Sequence, residues 1–302
     1  MKLIELIQKS SKPFYSLEFF PPKDAEQVPS FLQTAVKLKA LNPLFASVTY
    51  GAGGGSQDNT VEISRRLKEE CGFEPMPHLT CVGASRESIT EFLERLRAIG
   101  VQNILALRGD PPKQAPGTGA ANTAGAQYDW FGASFKHASD LVRLTRSCFP
   151  DFGMAVAGYP APHPESDSFE NDRGHIKTKL DAGADFVVTQ LFFDPREYID
   201  LVTRLRAMGV NKPIIPGVLP IQSFESLRHV LALCGANVPA RLYIALEEAN
   251  RQGGAEAVRE AGLGFAVDQI RRLLDAGAPG IHLYTLNRSE TCLRIAEAVG
   301  RL

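Results

Sequence analysis

Four times in this chain a helical stretch closes on a glycine and an apolar run follows at once. Arg97-Ala98-Ile99-Gly100-Val101 leads into Asn103 to Leu107, and Leu180-Asp181-Ala182-Gly183-Ala184 into Phe186 to Phe193. Arg206-Ala207-Met208-Gly209-Val210 leads into Pro213 to Leu219, and Leu274-Asp275-Ala276-Gly277-Ala278 into Gly280 to Leu286. Glycine at such a joint takes the left-handed conformation that ends a helix. The apolar runs suit strands covered on both faces. A chain that repeats this joint is alternating helices with the strands of a parallel sheet.

The same reading predicts eight strands: Phe14–Phe20, Leu44–Tyr50, Pro75–Cys81, Asn103–Gly109, Gly153–Tyr159, Phe186–Phe193, Pro213–Leu219 and Gly280–Leu286. Helical spacing of apolar residues predicts helices over Pro29–Leu41, Asp58–Cys71, Arg86–Ile99, Ser134–Cys148, Ser168–Asp181, Pro195–Met208, Ser223–Leu233 and Ser289–Val299. Met1 to Ile7 reads as a short amphipathic helix, and Val238 to Leu274 as extra helix before the eighth strand. Eight alternating units over residues 1–302 predict an α/β fold, a single (β/α)8 TIM barrel domain. An open doubly wound sheet would usually carry G-x-G-x-x-G after its first strand. Here that strand ends Glu18-Phe19-Phe20-Pro21-Pro22.

A barrel keeps its chemistry at the carboxyl ends of its strands. These ends carry Glu18, then Thr49 and Tyr50, His78 and Thr80, Arg108 and Asp110, Tyr159 with His163, Gln190, and finally Tyr284, Thr285, Asn287 and Arg288; only the seventh strand offers nothing polar. Each such group, taken singly, could be a satisfied structural residue. Their convergence on one face points to a site. The fourth end, Leu107-Arg108-Gly109-Asp110, reads alone as an exposed ion pair. Glu18 lies between Leu17 and Phe19-Phe20, so desolvation is expected to raise its pKa and suit it to general acid work; a salt bridge to a cation such as Arg288 is the alternative. Gly51 to Gly55 would let backbone N–H groups approach a ligand, and is equally a flexible loop. Asp172, His175 and Lys179 share one face of a predicted helix and could hold phosphate and ribose, or be merely solvated.

Composition narrows the function classes. A net charge of −1 offers no basic patch for nucleic acid or membrane. No apolar run approaches the roughly 18 residues of a membrane span, and the N-terminus does not read as a signal peptide, so a cytoplasmic protein is expected. The 5 cysteines are scattered and suggest neither a disulfide framework nor zinc. Without H-x-H on the first strand or H-E-x-x-H anywhere, no metal site is expected. No strand ends in lysine, which argues against a Schiff-base aldolase.

Taken together, Ser16-Leu17-Glu18-Phe19-Phe20-Pro21-Pro22, Val48-Thr49-Tyr50-Gly51-Ala52, Pro77-His78-Leu79-Thr80-Cys81, Leu107-Arg108-Gly109-Asp110-Pro111-Pro112, Tyr159-Pro160 with His163-Pro164-Glu165, Thr189-Gln190-Leu191-Phe192-Phe193-Asp194, Ile215-Pro216-Gly217-Val218-Leu219-Pro220 and Tyr284-Thr285-Leu286-Asn287-Arg288 resemble the methylenetetrahydrofolate reductase family. The length resembles the bacterial forms. The resemblance implies an FAD-containing oxidoreductase of one-carbon metabolism and methionine biosynthesis. Such an enzyme takes a hydride from NADH or NADPH and passes it to 5,10-methylenetetrahydrofolate by ping-pong transfer, giving 5-methyltetrahydrofolate. It implies catalytic roles for Glu18, as the acid that protonates N10 during ring opening, and for Asp110, whose charge would tune the flavin. It implies FAD binding by Thr49, Tyr50, Ala52, His78, Leu107, Arg108, Gly109, Asp110, Ala138, Tyr159, His163, Asp172 and Lys179. Folate would meet Glu18, Thr49, Gln190 and Arg288. A homo-oligomer is also implied, with no nucleic-acid or membrane partner.

Two departures bear on cofactor binding. His137 stands where the family often has tyrosine, and Thr178-Lys179 is one cation short of a basic pair, which Lys177 or His175 could supply. The stretch Pro116 to Trp130 is also longer than the resemblance leads one to expect. A metal-assisted hydrolase or lyase using His78, His163, Glu18 and Asp110, and a folate or flavin binder without catalysis, are the competing readings.

Overall fold

The computed structural model describes residues 1–50, 57–110, 134–163, 165–300 and 302. Eight strands follow one another around a closed barrel in chain order: β1 (Phe14–Phe19), β2 (Ala46–Val48), β3 (Pro75–Thr80), β4 (Asn103–Leu107), β5 (Gly153–Gly158), β6 (Phe186–Leu191), β7 (Ile214–Val218) and β8 (Gly280–Tyr284). Neighbours are parallel, and the seam between first and last runs from Phe14 beside Gly280 to Glu18 beside Tyr284. Around them lie α2 (Val28–Leu38), α3 (Gln57–Glu69), α4 (Arg86–Ala98), α5 (Ala138–Cys148), α6 (Phe169–Asp181), α7 (Pro195–Ala207), α8 (Phe224–Cys234), α9 (Ala240–Asp275) and α10 (Ser289–Val299), preceded by α1 (Leu3–Lys9). The predicted (β/α)8 barrel is therefore the fold. At the four recurring joints Gly100, Gly183, Gly209 and Gly277 all have positive φ, as the helix-ending role requires.

Alternation along the strands sorts the interior from the shell. Outward residues such as Leu17, Phe19, Leu79 and Ile281 pack against the helices in the larger core. Inward residues from the lower barrel, Phe14, Phe45, Met76, Leu105, Ala155, Phe186, Val188 and Ile215, form a second apolar cluster with Leu3 and Ile7 of α1. The short N-terminal helix thus closes the floor. Asn103 ties it down, its Oδ1 accepting from the Leu3 N–H at 2.8 Å and its Nδ2 donating to the Met1 carbonyl at 3.0 Å. Above that floor the inward residues become polar: Ser16, Ser47 and His282, with Glu18, His78 and Tyr284 nearer the rim.

The paired strands are shorter than predicted, because the ladder ends before the polar rim does. Beyond β4 the Arg108 carbonyl accepts the N–H groups of Cys81 and Val82 at 3.1 and 2.8 Å, and Gly109 turns the chain with a φ of +83°. The predicted start of α5 at Ser134 moves to Ala138, since the Asp140 carboxylate takes the N–H groups of Lys136 and His137 at 3.1 and 3.0 Å ahead of the first turn. The extra helix is present as α9, interrupted where Gly253 and Gly254 leave helical geometry. The Gly51 to Gly55 loop with Ala52, and the long loop after β4, lie outside the described residues.

Candidate active site

Glu18, next to last in β1, points inward and is only 6% exposed. The aromatic residue that follows it, Phe19, faces the opposite side of the strand and packs edge-on against Phe31 and Phe73 in the outer core. The neighbours of Glu18 come instead from β2, β3 and β8. Its Oε2 lies 3.4 Å from His78 Nε2, 3.8 Å from His282 Nε2 and 3.5 Å from Ser47 Oγ. Burial pushes the Glu18 carboxyl up, but the two imidazoles outweigh it and bring the group down to about 2. The expected raised pKa is thus corrected: Glu18 is a carboxylate in this cage, because strand alternation directs Phe19 away and two histidines toward it. Arg288, the alternative partner, sits exposed at the start of α10, its N–H bonded to the Thr285 carbonyl at 2.8 Å.

His282 was not foreseen as a site residue. It is completely buried. Ser16 Oγ lies 2.9 Å from its Nδ1, Ser47 Oγ lies 3.4 Å from its Nε2, and the Phe45 ring stacks on it at 5.9 Å. The signal was present in Gly280-Ile281-His282-Leu283-Tyr284, where alternation places His282 and Tyr284 on one face. Tyr284 donates to the Thr189 carbonyl at 2.8 Å, crossing over Gly217 to reach it. Thr49, 7% exposed, joins this end of the barrel with its N–H on the Phe19 carbonyl at 2.9 Å.

A second polar group occupies the rim from β4 to β6. Arg108 forms a bidentate ion pair with Glu165, at 2.7 and 3.2 Å, and this pairing raises the guanidinium further above its ordinary range. Arg108 thus pairs with a carboxylate from the next rim loop, while Asp110 is exposed and acts through its charge on Arg108 and on Tyr159. Glu165 is the partner that the sequence reading left out. Tyr159 stands edge-on to His163 with ring centres 4.7 Å apart, and burial raises its hydroxyl despite a hydrogen bond from Gln190. The Gln190 side-chain carbonyl accepts the Leu191 N–H at 2.9 Å, which fixes the amide.

On α6, Asp172 is buried and Lys179 reaches inward to donate to the Ala157 carbonyl at 2.6 Å. Burial brings Lys179 down to about 8, with the Asp172 carboxylate opposing that shift. Burial likewise raises Asp172 against the pull of Lys179. His175, expected to share this face, is exposed, and Lys177 is engaged with Asp181 at 2.6 Å. Neither supplies the second cation. Ala138 begins α5, which is held to the β3 and β4 ends by Cys81, whose Sγ lies 3.6 Å from the His137 carbonyl and 3.7 Å from that of Arg108. Leu107 is half buried below Arg108, and Tyr50 meets Phe92 edge-on at 6.3 Å.

Asp172 Oδ2 is buried without a hydrogen bond, and His78 Nε2 has only the 3.4 Å approach to Glu18. An arc with a cation at Lys179, an aromatic at Tyr159 and imidazoles at His78 and His163 has the chemistry to hold a ligand with a flat ring at one end and phosphates at the other. Among the described residues no group of three or more histidine, cysteine or acidic side chains is arranged to hold a metal ion.

Residues 2–300 match the family model for methylenetetrahydrofolate reductase. The 5,10-methylenetetrahydrofolate reductase of Salmonella typhimurium is 34% identical over 285 residues, covering 94% of this chain and 90% of that protein. Methylenetetrahydrofolate reductase (NADH) 1 of Arabidopsis thaliana is 36% identical over 313 residues, covering 99% of this chain and 51% of the plant protein. The chain thus spans about half the length of the plant relatives it matches. A solved Clostridium thermocellum protein that binds two copies of 5-methyl-5,6,7,8-tetrahydrofolic acid shares the fold, with a TM-score of 0.63 at 14% identity over 98% of this chain and 97% of that one. With a family model matched from end to end and a bacterial relative covered almost completely, this chain belongs to the methylenetetrahydrofolate reductase family.

Proposed function

We propose that this protein reduces 5,10-methylenetetrahydrofolate to 5-methyltetrahydrofolate, with NADH or NADPH as donor and FAD as carrier. The observation that carries this reading is the placement of Glu18: one buried carboxylate at the barrel mouth, beside an arc of groups suited to a flavin dinucleotide. FAD, when bound, supplies the hydride relay between donor and folate. Lys179 and Asp172 hold its phosphate and ribose end, and Tyr159, His163 and Arg108 line its middle. His78, Leu107 and Gly109 border the ring. Ala138, Thr49, Tyr50 and Ala52 complete the wall. Asp110 lends negative charge near the ring, which favours cationic character in the folate that faces it. Gln190 and Arg288 orient folate, Arg288 at the exposed rim where a carboxylate would reach it.

Glu18 delivers the proton that opens the folate imidazolidine ring at N10, and it must be protonated to do so. The imidazoles of His78 and His282, which hold the resting carboxylate at about 2, oppose that protonation, so the proton must reach Glu18 within the assembled complex. We place the described barrel, one domain, in a cytoplasmic enzyme that assembles as a homo-oligomer. Separately, no helix among the described residues is long and apolar enough to cross a membrane.

The test separates the two half-reactions. Glu18→Gln is expected to leave reduction of bound FAD by NADH within a few-fold of wild type. Reoxidation by methylenetetrahydrofolate is expected to slow by about 10²–10⁴. Equal loss in both steps would contradict the acid role.

A further inference from the structure

The buried stripe of α6 carries on past the point where the barrel stops covering it. Asp172, Arg173, Ile176 and Leu180 form that stripe. Phe169 lies three residues before Asp172 and four before Arg173, so helical spacing puts it on the same stripe. Yet Phe169 is 43% exposed, and among the described residues it is the one exposed phenylalanine, tyrosine or tryptophan. Height explains the exposure. Arg173 bonds the Pro160 carbonyl just past the end of β5, and Phe169 stands one helical turn above that level, clear of the strands. Its position is nonetheless fixed. The Ser168 side chain caps the helix by accepting the Asn171 N–H at 3.1 Å. The Arg173 guanidinium lies over one face of the Phe169 ring, 4.7 Å from its centre.

Arg173 is 1% exposed, and its guanidinium is poorly satisfied. Nη2 donates to the Pro160 carbonyl at 2.8 Å and lies 3.5 Å from Asp200 Oδ2. Nη1 has only a 3.9 Å approach to Asp172 Oδ2, and Nε makes no hydrogen bond. A buried cation is costly unless it is paired, and an aromatic ring held against it offsets part of that cost. With the face toward Arg173 covered, the exposed part of the ring is its other face and edge. A ring held in this way loses little freedom on taking a flat partner.

One occupant fits the order of groups along α6. Lys179 brings a cation to the end of β5, its Nζ on the Ala157 carbonyl, and a cation there suits a phosphate. Asp172 Oδ2, buried without a hydrogen bond, suits a ribose hydroxyl. Phe169 comes next toward the start of the helix, at about 1.5 Å of rise per residue, and an open aromatic face suits a base. A nucleotide laid along the helix meets these groups in that order: phosphate, ribose, base. We propose that Phe169, backed by Arg173, is the stacking platform for the adenine of bound FAD. NADH carries the same base, but the groups that continue the line from Phe169 are those assigned above to FAD. The flavin ring does not compete for this place, since its proposed position beside His78, Leu107 and Gly109 is at the opposite end of the arc.

This inference rests on the proposed cofactor reading and is tested apart from it. The full chain, stripped of cofactor, is titrated with FAD, with FMN, which lacks the adenylate half, and with ADP, which lacks the flavin. Fluorescence follows the flavins and calorimetry follows ADP, with the thermal midpoint as a control of folding. In Phe169→Ala, FAD and ADP should each bind about 10–100-fold more weakly, the range expected for loss of one base stack. FMN should bind that variant within about twofold of wild type. Phe169→Trp, which keeps a flat ring, should hold FAD within about threefold of wild type. Should FMN bind wild type too weakly to read, ADP alone carries the comparison. A folded Phe169→Ala that binds FAD and ADP as wild type does would overturn the platform, and so would an equal loss of FAD and FMN. Unchanged FAD affinity with a raised KM for NADH would overturn the assignment to FAD and give the ring to the purine of the donor. A wild type that takes up neither FAD nor FMN would instead overturn the cofactor reading on which the platform depends.

Discussion

Glu18 is the residue on which most of the chemistry turns, and its environment could not be read from its neighbours in sequence. Leu17 and Phe19 suggested an apolar pocket, but they face the helices, and the groups that surround the carboxylate arrive from β2, β3 and β8. The consequence for stability has a definite sign. The carboxyl lies at about 2 in the fold against an ordinary 4.5, so the unfolded chain binds the proton first as pH falls. The stability that Glu18 contributes is present above about pH 4.5 and is lost toward pH 2. Urea denaturation at a series of acid pH values should show wild type losing stability more steeply than Glu18→Gln across that window. Lys179 gives a second pH dependence. With its ammonium at about 8, FAD affinity should fall as pH rises through that value. Lys179→Met should bind FAD about tenfold or more weakly, as expected for loss of one charge-assisted hydrogen bond, and with little dependence on pH; fluorescence titration of apoenzyme with FAD reads both effects. For Asp110, replacement by Asn is expected to raise the flavin potential and slow reoxidation by folate, measured by redox titration and stopped flow.

At the scale of strands and helices the sequence was most legible where one residue type serves one geometric need. The glycine joints appear where the pattern puts them, and each predicted strand and helix is present, the strands shorter and α5 starting later than the pattern suggests. The carboxyl rim was less legible, because pairing stops early there and side chains from separate strands decide each other's surroundings. Glu165 illustrates this: nothing near it in sequence names Arg108, which comes from β4. His282 shares the inward face with Tyr284 by alternation, but a histidine between isoleucine and leucine carries no signal that separates a site residue from core. Gly217 shows how strictly this rim is packed. A Cβ added to it would lie 2.6 Å from the Thr189 carbonyl oxygen and 2.6 Å from the Tyr284 ring. Gly217→Ala should cost about 1–3 kcal/mol by overpacking and should loosen the Tyr284 to Thr189 hydrogen bond. Its urea midpoint, with an unchanged slope, measures that cost.

On the scale of the whole molecule the barrel divides its labour by height. The floor is apolar and closed by α1, the middle carries the buried serines and His282, and the rim carries the charged groups that would meet cofactor and substrate. Ligand binding at the rim is then linked to stability of the whole barrel: with free FAD at about 100 times its Kd, stabilisation should be about 2.7 kcal/mol, visible as a lower thermal midpoint once the cofactor is stripped. The central claim is that one site accepts a hydride from a nicotinamide and passes it to a folate. A visible absorbance spectrum of the FAD-loaded protein, taken under anaerobic conditions, tests this directly. Adding NADH should bleach the flavin band, and adding methylenetetrahydrofolate should then restore it with formation of 5-methyltetrahydrofolate. A protein that takes up no FAD, or whose bleached band stays bleached in the presence of the folate, would contradict the account.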